Sequence, residues 1–381
     1  MDTGDLSFAM AIAYNGPGLS YNRRHGAVSD TYSSVVDSAN LIILAEQPLV
    51  AETPLALQEE QLTPNPRFFI RNHFGIPTLD ARAWRLAIGG TVNQPRSLSL
   101  ADLHQLPARR IEATVECAGN GRSFFPPPTE GNQFGYGAVS TASWTGVSLV
   151  DVLGPNPFKP GTVEVLFTGA DHGFEKNVGA EISFQRSLPV DVALHPDTIL
   201  AYEMNGEPLP IDHGFPVRLL VPSWYGVASV KWLLEIRALD QPFQGYFQVQ
   251  RYIYPSDHGP IPLRERRVRA VITQPTPGEV VKMGPVKVRG VAWSGNQPIT
   301  KVELSTDGGA TWYSVDLEPS ESPYAWQRWQ TVWQATEPGS HTLKVRATDA
   351  SGAVQPEIAA WNLLGYGNNG IQSLAVEVRA S

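Results

Sequence analysis

The chain has 381 residues, 42% of them hydrophobic and 17% charged, which supplies enough apolar material for sizeable cores and excludes a disordered chain; its length favours two domains over one. A formal net charge of −8 argues against general nucleic-acid binding, and no run reaches the ~18 apolar residues that a membrane helix needs. One cysteine excludes an intrachain disulfide, while 34 glycines, 32 prolines and ten tryptophans point to turn-rich β structure.

In chain order, residues 1–60 carry little periodicity, and "AEQPLVAETPLALQEEQLTPNP" reads as an extended, proline-punctuated arm. The opening "MDTGDLSFAMAIAYNGPGLS" places acidic residues before a short apolar run, which is not a secretion signal. A cytoplasmic chain, or a periplasmic one with its leader removed, fits equally. Residues 61–258 mix strands with short helices: "WRLAIGGTV", "TVEVLFTG" and "PVRLLVP" read as strands, and "SLADLHQL" as a helix with Ser99 as N-cap. "SVKWLLEIRAL" is another apolar-rich run. This order predicts an α+β domain rather than regular βαβ repetition. After the bridge "SDHGPIPLRERR", residues 259–381 become all-β, with strand-length runs such as "VKVRGVAWSG" and "HTLKVRATDASG" divided by turn signals. That spacing predicts an immunoglobulin-like sandwich.

The chemistry concentrates in the middle section. In "VECAGNGRSFF" a strand pattern stops at a glycine-rich turn, placing Cys117 at the strand's end with Arg122 nearby. A lone cysteine is most often a small buried hydrophobe. A neighbouring cation favours the thiolate, which makes a ligand or a nucleophile the alternative. "RFFIRNHFGIP" gathers Arg71, Asn72 and His73; "TGADHG" contributes Asp171; "LPIDHGFPVRLLVP" contributes His213 and Arg218; "YGVASVKWL" contributes Ser229 and Lys231. Each cluster alone reads as a solvated loop or a satisfied histidine. Together they offer donors suited to a phosphate and a flat heteroaromatic group. Neither a Walker loop nor a GxGxxG fingerprint occurs.

"TPNPRFFIRNHFGIP", "VECAGNGRS", "LAYEMNGEPLPIDHGFPVRLLVP", "VKWL", "VAWSG" and "STDGGATW" resemble the sulfite oxidase family of molybdopterin oxidoreductases, from about Leu49 to "WNLLGYGNNG". The resemblance implies a mixed α/β molybdopterin-binding domain followed by an immunoglobulin-like dimerisation domain, and hence a homodimer. It implies a molybdenum cofactor whose metal takes one protein sulfur, from Cys117, a soft ligand suited to the task. It further implies oxidation of sulfite to sulfate by oxygen-atom transfer. Arg71, Arg122 and Tyr252 fall at substrate-pocket positions, with Tyr254 as the alternative tyrosine. Phe69, Asn72, His73, Asp171, His213, Arg218, Ser229 and Lys231 fall where the family holds the pterin and its phosphate.

Two departures bear on the substrate. Animal members carry a second arginine directly before the one matching Arg122, where this chain has Gly121. Their dimerisation domain also brings an arginine to the pocket, which the alignment places on the tryptophan-rich strand of "YAWQRWQTVWQAT", at Gln330 or Thr331, with Arg328 close by. Sulfane sulfur, nitrate or another oxyanion is therefore the alternative substrate, and a cofactor-free interaction protein on the same scaffold the alternative class. The arm is too short for the b5-type haem domain of animal members, so no haem is expected in this chain. Electrons would pass to an external acceptor, a cytochrome c or oxygen.

Overall fold

The computed structural model describes residues 41–295 and 297–380. Of the arm expected over 1–60, the part before residue 41 lies outside the described residues. The rest is built into the fold: Ile42–Glu46 and Leu49–Glu52 form an antiparallel hairpin that continues onto Ile70–Arg71. The second strand is held because Val50 and Ala51 are buried while the first stays largely exposed.

Two larger sheets complete the first region. One runs Glu207–Pro208, Ile199–Met204, Val139–Ser148, Ala108–Glu116, with Arg218–Leu220 also paired to Ile199–Met204. The other runs Arg96–Leu98, Leu86–Gly90, Leu233–Leu239, Glu164–Glu175, Ala180–Pro189, and only the pair Leu233–Leu239 with Leu86–Gly90 is parallel. The apolar run ending "WLLEIRAL" is thus a strand, buried against both neighbours. Helix is scarce: Leu100–Leu103, Leu149–Leu153, Val190–Ala193 and Tyr246–Val249 are each four or five residues long. The architecture is mostly strands, with far less helix than an evenly mixed α/β domain. Ser99 does cap its helix: its hydroxyl accepts from the Asp102 amide, and the Asp102 carboxylate accepts from the Ser99 amide.

The second region packs two sheets on one core. Arg269–Gln274, Gly284–Trp293, Gln327–Ala335 and Asp316–Leu317 form one sheet; Val280–Lys282, Gln372–Arg379, Gly339–Asp349, Ile299–Ser305 and Tyr313–Ser314 form the other. Alternate residues point inward, as a half-buried strand requires: Val286 and Val288, Trp329 and Trp333, Leu343, Val345 and Ala347. A smaller cluster of Val139, Val271, Val291, Trp293 and Trp326 joins the two regions.

Between the regions lies a buried polar clamp. The Trp293 indole donates to Glu116 at 2.8 Å, Asn120 donates to the same carboxylate at 3.0 Å, and the Arg269 guanidinium lies 3.6 Å from it. Arg269 also donates to the Asn120 carbonyl at 3.1 Å. Residues flanking Cys117 on both sides are therefore tied to the second region, which fixes the turn that carries the thiol.

Candidate active site

The strand Ala108–Glu116 ends where the sequence places its break, and Cys117 begins the turn. The turn closes through Asn120 N to Cys117 O at 2.9 Å and Arg122 N to Gly119 O at 3.0 Å. Gly121 takes φ +81°, and a Cβ there would stand 2.5 Å from an Arg269 nitrogen, so no side chain fits. The Gly119 amide lies 3.4 Å from the Cys117 sulfur. Burial pushes the thiol above its ordinary value, opposed by the charges of Arg71 and Arg122. Without a further cation the sulfur keeps its proton; a metal ion would displace it.

Cys117 sits on the wall between two clefts. The inner cleft is lined by eleven of the twelve residues singled out in the sequence: Phe69, Arg71, Asn72, His73, Cys117, Asp171, His213, Arg218, Ser229, Lys231 and Tyr252. The twelfth, Arg122, lines the outer cleft, which it shares with Cys117, Arg71 and Tyr252. Residues from five separate segments thus gather in the cleft beside one thiol.

The inner cleft is strongly cationic and incompletely satisfied. Arg218 stacks on Trp144 at 4.9 Å and donates to the carbonyls of His213 and Ser229 at 3.0 and 3.2 Å; burial brings it down to about 9. The Lys231 ammonium donates to Asn72 Oδ1 and, at 2.8 Å, to the Asp212 carbonyl. Burial first, then the Arg218 charge, lowers it to about 7. Burial also lowers His213 to about 4 and raises Asp171 to about 6. Ser229 is committed to structure, its hydroxyl accepting from the Val221 amide at 3.1 Å. Two buried polar atoms have no partner: Asn72 Nδ2, a donor, and Asp171 Oδ1, an acceptor. Such orphans are costly unless a ligand meets them. A heterocycle bearing both donors and acceptors, with an anionic group for the cations, fits this set.

At the junction of the clefts Tyr252 and His73 share a 2.5 Å hydrogen bond. His73 stacks on Phe184 at 4.7 Å, and burial with the charges of Arg71, Lys231 and Arg251 keeps its imidazole well below the ordinary value, hence neutral. Burial raises the Tyr252 phenol, so it keeps its proton. Tyr252 adopts φ 53°, a left-handed conformation uncommon for an aromatic residue, which turns its ring into the cleft. Tyr254 lines neither cleft and lies against Arg267 at 4.5 Å.

The second region does reach the outer cleft, though by another route than the expected strand. Gln330 and Thr331 pair within the sheet, opposite Arg289 and Val288, and Arg328 engages Glu318 and donates to the Glu59 carbonyl at 3.1 Å. None of the three lines a cleft. The loop before Gln372–Arg379 arrives instead, bringing Leu364 and Tyr366. Tyr366 stacks on Tyr252 at 4.9 Å, with the Arg122 guanidinium 5.1 Å from its ring. Gly365, at φ +61°, lets the loop pass: a Cβ there would meet Thr129 Oγ1 at 2.1 Å and Arg122 Nε at 2.9 Å. Leu364, Tyr366 and Arg251 were missed from sequence; a glycine beside an aromatic in "LLGYGNNG", where strand periodicity stops, was the available signal for the loop.

Comparison with known proteins identifies the family. Residues 73–247 match the family described as oxidoreductase molybdopterin binding domain, and 262–379 match Mo-co oxidoreductase dimerisation domain. Mitochondrial sulfite oxidase of Mus musculus is 37% identical over 364 residues, covering 89% of this chain and 66% of its own length. An NADH nitrate reductase of Brassica napus is 32% identical, covering 87% of this chain and 40% of its own. Among solved structures, the sulfane dehydrogenase SoxCD of Paracoccus pantotrophus superposes with a TM-score of 0.78 at 28% identity, covering 94% of this chain and 93% of that one. The chain spans just under two thirds of the length of the mouse sulfite oxidase. Among the described residues no helix is long and apolar enough to cross a membrane.

Proposed function

As the chain belongs to the sulfite oxidase family of molybdopterin-binding oxidoreductases, we propose that it oxidises sulfite to sulfate as a homodimer, passing two electrons to an external acceptor. The observation that carries the reading is the position of Cys117 between a cation-lined inner cleft with orphaned polar atoms and an outer cleft lined by arginines. In this reading Arg218, Lys231, Asn72 and Asp171 hold the molybdopterin, and Cys117 supplies a sulfur to its metal. When bound, that group provides two-electron oxidation coupled to transfer of one oxygen atom, drawn ultimately from water with release of two protons.

The remaining work falls to this chain's residues. Arg71 and Arg122 concentrate and orient a small oxyanion in the outer cleft. Tyr252, protonated and braced by His73, presents its hydroxyl at the junction and can donate to the anion. Tyr366 and Leu364 narrow the cleft with apolar surface and limit water beside the reacting anion. That apolar contribution is also the observation favouring a second reading, a sulfane sulfur substrate, whose terminal sulfur is less strongly hydrated than an oxyanion. Turnover of sulfite and of a sulfane donor, each with cytochrome c and with oxygen as electron acceptor, and of nitrate with a reduced electron donor, tests the proposal. Sulfite with cytochrome c or oxygen should give the highest kcat/KM; faster turnover of either other substrate would overturn it.

A further inference from the structure

The outer cleft holds a cation outside the pair the resemblance assigns. Arg251 directly precedes Tyr252 and lines this cleft together with Arg71, Arg122 and Tyr366. Of the two assigned arginines, Arg122 has both Nη groups committed to the fold and Arg71 has one. Arg71 Nη1 donates to the Asn72 carbonyl. Arg122 donates Nη1 to Asn132 O at 3.0 Å and Nη2 to Leu364 O at 3.2 Å. Arg251 differs: its Nε donates to the Tyr246 hydroxyl at 3.0 Å, and among the described residues neither Nη atom has a hydrogen-bond partner. Asn177 also donates to the Tyr246 hydroxyl, at 2.9 Å, so the anchor is itself fixed. The arginine is thus pinned at its inner edge and open at its fork.

Acidic groups leave that fork unclaimed. Glu130 and Glu175 line the same cleft, yet no ion pair joins either to Arg251 among the described residues. Glu175 turns its carboxylate to the Asn177 amide and side chain at 3.0 and 2.8 Å. A half-buried guanidinium with two free Nη groups suits bidentate capture of an oxyanion, which an ammonium would not reproduce. We propose that Arg251 is an anion-binding residue of the outer cleft, where it captures the oxyanion substrate and hands it to Arg71 and Arg122 at the thiol. The proposal rests on the functional reading above only in requiring an oxyanion; it does not require sulfite.

The test is direct binding of sulfate, followed by calorimetry on the intact cofactor-loaded protein at low and moderate ionic strength. Native protein is compared with Arg251→Gln, Arg251→Lys and Lys287→Gln, the last an exposed control on the second region. Arg251→Gln should weaken sulfate about tenfold or more and flatten the salt dependence, with Arg251→Lys between it and native. In steady state the same variant should raise KM far more than it lowers kcat, because capture and not the reacting atoms is affected. Sulfate affinity and KM within about twofold of native in Arg251→Gln, an equal loss in Lys287→Gln, or no sulfate binding by native protein would each overturn the assignment. Sulfate binding that depends on Arg251 in a protein that does not oxidise sulfite would keep this inference and remove the sulfite reading. Sulfite oxidation indifferent to Arg251 would do the reverse.

Discussion

The two clefts that meet at Cys117 solve opposite problems. In the inner cleft burial works against charge: it brings Lys231 to about 7 and Arg218 to about 9, and leaves His213, at about 4, neutral. A protein keeps such groups only if something returns the lost solvation, and an anionic ligand that stays bound does so. In the outer cleft Arg71 and Arg251 remain partly exposed, and the Tyr246 hydroxyl holds the latter's charge above the ordinary value. In the proposed reading the inner cleft is built around a resident polyanion and the outer cleft around an anion that comes and goes.

The largest effect should come from the residue common to both. Cys117→Ser should abolish substrate oxidation, since a protonated hydroxyl is a hard and poor replacement for a soft thiolate. The fold should survive the change of one buried atom, so an unchanged circular dichroism spectrum with full turnover would break the comparison at its centre.

The inner cleft comes next. Lys231→Met should lower cofactor retention by about ten- to a hundredfold in affinity, the usual loss for a charged hydrogen bond, read as molybdenum per protein after gel filtration. Its pH signature is specific. Between about 7 and its unfolded value of 10.5, the unfolded chain binds a proton at Lys231 that the native cofactor-free chain does not. Stability of the cofactor-free protein should therefore rise with pH from 7 to 9 through this group. Lys231→Met should flatten that slope, as should loading, because a bound anion restores the charge. Denaturant midpoints that fall with pH in this window, or a slope unaltered by the variant, would contradict a desolvated lysine.

In the outer cleft, Arg122→Gln should reduce kcat/KM by about ten- to a hundredfold while leaving molybdenum content near normal. Loss of molybdenum instead would move Arg122 to the inner cleft's account. The smallest effect belongs to the strand Gln327–Ala335: Gln330→Arg and Thr331→Arg should leave KM within about twofold, because neither residue lines a cleft. A lowered KM in either variant would mean that this strand feeds the pocket after all.

How much of this was legible in the sequence divides along the same line. Eleven residues that line the inner cleft lie in motifs legible in the sequence, where a strand end or a tight turn presents neighbours such as Arg71, Asn72 and His73 together. Apolar lining residues such as Phe184 and Val227 were not singled out. Strand boundaries were legible for a similar reason, as with the break after Glu116, and Ser99 named its own helix start. The outer cleft is closed by loops whose side chains gain meaning only through tertiary approach. Leu364 and Tyr366 come from a segment about 250 residues beyond Cys117, and no periodicity reports where a loop lands. Gln330 and Thr331 were placed at the pocket by alignment with the family; period-two alternation tells which face a strand residue takes but not what that face meets. The apolar run "SVKWLLEIRAL" names no element by itself, because such runs serve equally as helix or buried strand until a neighbouring strand claims them.

The most direct measurement of the central claim is X-ray absorption at the molybdenum edge on the purified protein and on Cys117→Ser loaded with cofactor under the same conditions. The account predicts molybdenum in the native protein with one more sulfur neighbour than in the variant. Native protein that binds no molybdenum, or equal sulfur coordination in both, would contradict it.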